Sequence, residues 1–528
     1  MIFDRIIGGE TEFGITCPGR PNAHETLLST LVVDSCPVDA RQTDWDYHAE
    51  SPLHDARGFT QPEEQAHSSQ LTHRGQVLTS EDVARELIEE SPEMLSAQFW
   101  DHATMNRVLP NGARFYVDHA HPEYSGPEAD NPWDAALWDL AGDRIAQQAA
   151  DRVPKHFGRQ WPEPVALFKN NTDNKSVSYG AHENYLVSRR LDLQHLAESF
   201  IPFLATRQVI TGAGRAGLGA EQVRAGFQIS QRADFFERLV GLETTIRRPI
   251  LNTRDEPHAD PERFRRLHVI PGDANLSHTS VVLKYAMASA VLWLIEQNRV
   301  PEVPLKDPVA ALQTISHDPT LSTTVALRDG RALTGLQIQR LYLDAVLRAV
   351  DEDEKELPSS QQRLLDLWVE VIEGLEHDPM SLADRLDWVA KYAMIRSYQQ
   401  RGVDLDDPRI QALDLQYADL RPERCLSRRL MERGRLRRLF SEEQIQRAQR
   451  RPPETTRAWL RGQLISRWPD QVHAAGWEVL ALRDPLTDRV HRWLLADPSH
   501  GGRAETEQVL ARARSADHAA RLLQLPSA

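Results

Sequence analysis

Two glutamates one residue apart, Glu10 and Glu12, lie between Gly8-Gly9 and Gly14. On an extended chain alternate side chains share a face, so both carboxylates point the same way. Like charges this close repel unless a cation neutralises them, and hard carboxylate oxygens suit Mg²⁺. A solvated strand face would present the same pair. A second cluster, Arg114-Phe115-Tyr116-Val117-Asp118-His119-Ala120-His121-Pro122-Glu123-Tyr124, puts Tyr116 and Asp118 on one strand face. A carboxylate at a strand end can serve as nucleophile, base or metal ligand. His119 and His121 form an HxH pair, a pattern of metal-dependent amidohydrolases and equally of a polar strand terminus.

Further clusters repeat the theme. Tyr179-Gly180-Ala181-His182-Glu183-Asn184-Tyr185 sets a histidine and a carboxylate beside a strand. Phe227–Arg232 predicts a strand with Gln228, Ser230 and Arg232 on one face. Asn252–Asp260, with Arg254 and His258, is a polar segment entering a loop, and arginine there suits phosphate by bidentate bonding. Each cluster alone fits a surface loop. Together they match an ATP–Mg²⁺ site built without a P-loop: carboxylates hold metal and arginines neutralise phosphoryl oxygens. No GxxxxGK[ST] occurs. Gly212-Ala213-Gly214-Arg215-Ala216-Gly217 matches GxGxxG but lacks a βαβ setting, and reads as a flexible glycine loop.

These residues need a large scaffold. The chain has 528 residues, 62 Lys+Arg against 77 Asp+Glu, a net charge of −15, and 41% apolar residues. That length implies more than one core. No apolar run approaches the roughly 20 residues of a membrane span, the longest lying near Tyr285–Ile295. The N-terminus lacks a basic-then-apolar leader, and the expected location is the cytoplasm. Three scattered cysteines, Cys17, Cys36 and Cys425, exclude a disulfide framework or a cysteine zinc site. The acidic balance argues against general nucleic-acid binding.

Strands are expected at Arg114–Asp118, Val165–Asn171, Asn184–Ser188, Phe227–Gln231, Ile250–Thr253 and Leu267–Ile270. Helices are expected at Pro132–Arg152, Leu193–Arg207, Thr279–Gln297, Thr334–Asp351, Ser359–Leu375 and Ser381–Gln400. A polar stretch over about 60–80 reads as a mobile loop, followed by a helix from Ser80. Residues 421–461 hold 13 Arg against 5 Glu. Two strands, Glu478–Arg483 and Arg489–Leu494, and a terminal helix close the chain. The expected fold class is α+β, divided into 1–425 and a small C-terminal α/β domain, 426–528.

These residues resemble the family of Pup deamidases/depupylases and Pup–protein ligases, itself similar to glutamine synthetase and other carboxylate–amine ligases. The likeness covers Ile6–Gly14, Trp45–Phe59 and nearly all of Asn111–Ser277, then more weakly the rest, including Arg451–Gly462. Lys169-Asn170-Asn171, His182–Tyr185 and Asn252–Asp260 are common to both branches. Trp45-Asp46-Tyr47, Glu50-Ser51-Pro52-Leu53 and Asp55-Ala56-Arg57-Gly58-Phe59 resemble a segment of the depupylase branch that ligases lack. Asp118–Ser125 has the same branch's spacing. The loop after Phe59 departs from that pattern in being shorter.

The resemblance implies a large curved, mainly antiparallel sheet packed with helices. It implies an ATP- and Mg²⁺-dependent depupylase/deamidase. Such an enzyme hydrolyses the isopeptide bond between a Pup-type modifier and a substrate lysine, and converts the modifier's C-terminal Gln to Glu. The ligase reaction is the alternative. A zinc amidohydrolase using His119 and His121 is a further one, and a non-enzymatic binder of modifier or nucleotide the last. By the same resemblance Glu10 and Glu12 bind metal, with Glu123 and His182 as further ligands. Asp118 is the nucleophile, or the base preparing one, and Tyr116 orients it. Arg232 and Arg254 contact nucleotide phosphates, with Ser230 and His258 beside them. The implied partners are a small acidic, disordered modifier and the proteins that carry it. The Arg-rich 421–461 offers part of an electrostatic complement to it, although solvated helix faces are the more common origin of such runs.

Overall fold

The computed structural model describes residues 2–37, 43–47, 50–66, 106–172, 178–218, 225–354 and 356–528. Six strands make its main sheet: β1 (Ile7–Glu12), β2 (Asn106–Val108), β3 (Arg114–Asp118), β4 (His121–Ser125), β5 (Ala181–Ser188) and β6 (Phe264–Val269). Their order is β6-β5-β1-β4-β3-β2, and every neighbouring pair is antiparallel. β5 shows why one face is a core and the other a site: Ala181, Glu183, Tyr185 and Val187 are buried, while His182, Asn184 and Leu186 alternate onto the opposite face. Glu183 therefore points away from the site, into a buried ion pair with Arg207 at 2.5 Å.

Helices cover the inner face. The helix α1 spans Glu25–Asp34, α2 Pro132–Phe157, α3 Leu193–Thr206 and α4 His278–Glu296. The start of α2 is dictated locally: Asn131 accepts a hydrogen bond from the Asp134 amide and Pro132 opens the first turn. The apolar run near Tyr285 extends into all of α4, which is long and apolar enough to cross a membrane by length and composition, but 94% of its apolar window is buried within this protein. It is the central core helix.

Beneath β1, Tyr285 on α4 donates to Asp139 at 3.0 Å, and Lys169 binds both Asp139 and Asp143 in a buried network. A Cβ at Gly9 would come within 2.1 Å of the Tyr285 hydroxyl, so only glycine lets the strand pass that close.

A second sheet forms from β7 (Val472–Ala475), β8 (Val479–Arg483) and β9 (Val490–Leu494), in the order β9-β8-β7, with the two-residue strand Asp44–Trp45 added parallel to β7. Its apolar core draws on Leu460, Leu464, Leu480, Leu482 and Leu510, and also on Trp45 and Val108 from the first part of the chain. Phe440 and Ile445 pack instead into the main core. The helix α5 (Arg457–Arg467) carries the junction.

Most expected elements are present, with shifted ends. The strand expected over Val165–Asn171 is only Ala166–Phe168. Ser381–Gln400 is not one helix: a 3₁₀ turn at Pro379–Leu382 precedes a helix at Asp387–Gln399. The terminal helix is two, Arg503–Arg512 and Ala516–Leu522. The glycine motif runs from the short helix Gln208–Thr211 into the strand Arg215–Leu218, the reverse of a dinucleotide turn. Gln228, Ser230 and Arg232 share no strand face, because that strand ends at Gln228. Most of the loop expected over 60–80, and the helix expected from Ser80, lie outside the described residues.

Candidate active site

The sheet register gathers the site. Glu10 lies opposite His182 on one side and Ser125 on the other, and Glu12 opposite Glu123. Tyr116 lies opposite Glu123, and Asn184 opposite His268. Directly opposed residues share a face. Two groups of ligand-type side chains result, Glu10 with His182 and His268, and Glu12 with Asp118 and Glu123, the ligand atoms of each group lying within 4.8 Å of one another. Glu10, Glu12, Glu123 and His182 are thus brought to one sheet face but divided between two groups. The all-oxygen group suits a hard cation such as Mg²⁺, and the mixed one accepts a divalent metal through a carboxylate and imidazole nitrogens.

β3 and β4 are joined by the two-residue turn His119-Ala120, and His119 adopts a left-handed φ of 55°. That turn sets Asp118 at the strand end, its Oδ2 2.9 Å from His119 Nδ1. His121 lies opposite Asp118 and stacks on Tyr179 with ring centroids 4.4 Å apart. Among the described residues neither histidine joins a metal-type group, so the HxH pair does not form the centre a zinc amidohydrolase would need.

Burial would raise the Asp118 carboxyl, but His119, Arg114 and His182 outweigh it and hold Asp118 below the usual range. Glu123 goes the other way: burial, then the charges of Asp118, Glu10 and Glu12, push it well up. A cation among these carboxylates would supply the charge that lets all of them ionise. Burial likewise opposes ionisation of Glu10, yet the hydrogen bond with His182 and the charge of Arg266 bring it far below its ordinary value. His268 is held neutral by burial, reinforced by Arg266 and His182. Its Nδ1 lies 2.9 Å from the Asn184 carbonyl oxygen, which can only accept, so Nε2 keeps its lone pair for a ligand.

The residues expected beside phosphate are spread more widely. Arg232 is buried, donating to the Ile270 carbonyl and to Ser178 Oγ at 3.2 Å. Burial and the nearby Arg248 lower it to about 9, while Glu12 and Asp273 act in the opposite direction. Ser230 donates to Asp273 at 2.9 Å and accepts from the Arg232 amide at 3.1 Å, so it braces Arg232. Arg254 stands 3.8 Å from Glu256. His258 has φ 47° and lines a cavity with Gly9, Glu10, Asn184, Arg266, Arg457 and Trp477.

The family model described as Pup-ligase protein matches residues 5–481. The chain is 44% identical over 519 residues to a depupylase of Acidothermus cellulolyticus, covering 97% of each chain. The chain belongs to the Pup-ligase protein family. It is also 42% identical to the Pup deamidase/depupylase of Mycobacterium tuberculosis, over 96% of each chain. A Pup–protein ligase of a Nocardioides species is 40% identical over 83% of this chain and 95% of its own. Among solved structures, the complex between the prokaryotic ubiquitin-like protein Pup and its ligase PafA aligns with a TM-score of 0.75 at 31% identity, covering 96% of this chain and 91% of that one. PafA in complex with ADP aligns at 0.70 and 34%, covering 86% and 95%. The α+β fold is thus that of the Pup ligases.

In this Pup-ligase family member, His268, Asn184 and Arg266 reach the site without having been singled out from sequence. All three belong to β5 and β6, whose pairing gave the only route to them. Asn184 donates to Glu10 at 2.8 Å and accepts from Arg266 and His268, each at 2.9 Å. It orients Glu10 and His268, the candidate ligands, without being one itself. Asn184→Ala is expected to weaken divalent-metal affinity by about 10–100-fold, the scale typical of lost outer partners. Calorimetric titration of the metal measures it.

Proposed function

We propose that this protein is an ATP- and Mg²⁺-dependent depupylase/deamidase. It hydrolyses the isopeptide bond between a Pup-type modifier and a substrate lysine, and the side-chain amide of the modifier's C-terminal Gln. The observation that carries this is the placement of an ionised Asp118 at the end of β3, grouped with Glu12 and Glu123. The depupylase and deamidase relatives support it, since in sequence alignment they are 42–44% identical over 96–97% of the chain, against 40% over 81–83% for the two ligases.

Asp118 attacks the side-chain carbonyl, or takes a proton from water that does. The C–N bond breaks, the lysine amine or ammonia leaves with a proton, and water completes a carboxylic acid on the modifier. The Tyr116 phenol is held well above its usual range by burial and by Glu123, so it stays a neutral hydrogen-bond donor beside the reacting carbonyl. Glu12 and Glu123, and separately Glu10, His182 and His268, would hold Mg²⁺, which when bound supplies positive charge to phosphoryl and carbonyl oxygens. The ADP complex of PafA supports nucleotide binding. The cavity beside Glu10 has Trp477 as a stacking surface for a base and Arg266 for phosphate. Arg433, Arg435, Arg450 and Arg451 are exposed and face an acidic modifier as the electrostatic complement.

The test is direct. Pupylated substrate incubated with the purified protein, ATP and Mg²⁺ should release free modifier, and a Gln-ended modifier should become the Glu form by mass spectrometry. Omitting nucleotide or chelating the metal should stop both reactions. New conjugates appearing as ATP is consumed would identify a ligase instead.

A further inference from the structure

We infer that Arg114 is a positioning residue, holding Tyr116 and Asp118 in place by tying β3 to residues 43–47; this rests on reading Asp118 as the reacting carboxylate. Arg114, Tyr116 and Asp118 alternate onto one face of β3. The Arg114 guanidinium is buried between rings, 3.7 Å from the centroid of Tyr116 and 4.1 Å from that of Trp45. It donates to Asn106 Oδ1 at 2.6 and 2.9 Å and to the Tyr47 hydroxyl at 3.1 Å. A flat cation with several fixed donors does this; an ammonium cannot stack on one ring while bonding two acceptors edge-on.

The other end of the same segment reaches the other end of the site. Trp45 Nε1 donates to Glu50 at 2.7 Å. The Ser51 amide donates to Glu256 at 2.6 Å, and Glu256 pairs with Arg266 at 3.2 Å, which in turn lies 4.0 Å from Glu10. Thr253 donates to Asp55 at 2.8 Å, and the Asp255 amide to the His54 carbonyl at 2.9 Å, beside Arg254. Residues 43–47 and 50–60 therefore brace the Asp118 side and the Glu10 side together, and Arg114 is a contact on the Asp118 side. Nothing in its sequence position announces this, since it reads only as the first residue of a strand.

The test is a double-mutant cycle between Arg114→Lys and Tyr116→Phe, read as kcat and KM for modifier release, with nucleotide affinity measured alongside. Arg114→Lys should lower kcat by about 100-fold, the scale of a small misplacement of reacting groups, with KM and nucleotide affinity near wild type. If Arg114 acts through Tyr116, the two losses will not multiply. Trp45→Phe, which keeps the arginine's hydrogen bonds, should show the same kcat-selective loss should the lysine variant fold poorly. Hydrogen exchange should rise together in peptides covering 43–47 and 114–118 of the Arg114→Lys or Trp45→Phe protein. That readout stands even where the wild type proves inactive, an outcome that would count against the proposed function alone. Multiplying losses, a parallel fall in nucleotide affinity, or unchanged exchange in both peptides would overturn the inference.

Discussion

Asp118→Asn is expected to abolish modifier release, with kcat falling by roughly 10⁴-fold or more, the scale seen when an activated nucleophile or its triad partner is disabled. The substitution keeps the side chain's shape and an oxygen for the 2.9 Å contact with His119. It removes the charge and nucleophilicity that His119 and Arg114 maintain against burial. It also takes one negative charge from beside Glu123, whose carboxyl is raised partly by Asp118, so the variant should fold at least as well as the wild type. Nucleotide binding should persist, because the cavity beside Glu10 does not include Asp118. Single-turnover release paired with nucleotide titration separates these outcomes. Activity within tenfold of wild type would remove Asp118 from the reaction.

Glu128→Gln is expected to cost about 3–5 kcal/mol, the usual penalty for stranding buried charge. Glu128 bonds Arg457 Nε at 2.7 Å and also the guanidinium of Arg461. Arg457 goes on to the Leu495 and His258 carbonyls, each at 2.7 Å, and Arg461 to the Gly112 and Trp477 carbonyls at 2.8 and 3.1 Å. One carboxylate thus fastens α5 and the C-terminal sheet to the main sheet and to the cavity wall. These two arginines account for part of the basic stretch 421–461, and both are buried and engaged within the fold. Burial alone would raise Glu128, but the arginines pull it down to about 2. Its folded value lies below its ordinary value of 4.5, so its stabilisation is fully present above that pH and is lost as pH falls toward 2. Thermal melts across that window should show a smaller loss in Glu128→Gln than in the wild type, the difference being the share that Glu128 contributes.

What could be read beforehand followed from local rules. Glu10, Glu12, Tyr116 and Asp118 were legible because a strand alternates its side chains and those residues stand two apart. Helices α2 and α3 were legible because their apolar spacing is local, and α4 because it is a single long apolar run. His268 and Arg266 were not, because the register of β5 against β6 is set between segments distant in sequence, and the expected strand at Leu267–Ile270 began after Arg266. Ser230 shows a different limit. Its hydroxyl donates to Asp273, 43 residues along the chain, a commitment the sequence does not disclose. Polar composition marks where chemistry is possible, but only long-range packing tells which polar atoms are already committed.

The closeness of Gly9 to Tyr285 has a consequence for how variation in this protein should be judged. β1 presents the Glu10 and Glu12 carboxylates on one face and rests on a buried hydroxyl with the other. A side chain at residue 9, or a bulkier contact from α4, has nowhere to go except by lifting the strand. The carboxylates of Glu10 and Glu12 would lift with it. On the proposed reading of Glu10 and Glu12 as metal ligands, changes in the oily interior at this point would be felt as changes in metal affinity, and a screen confined to solvent-facing residues would overlook them.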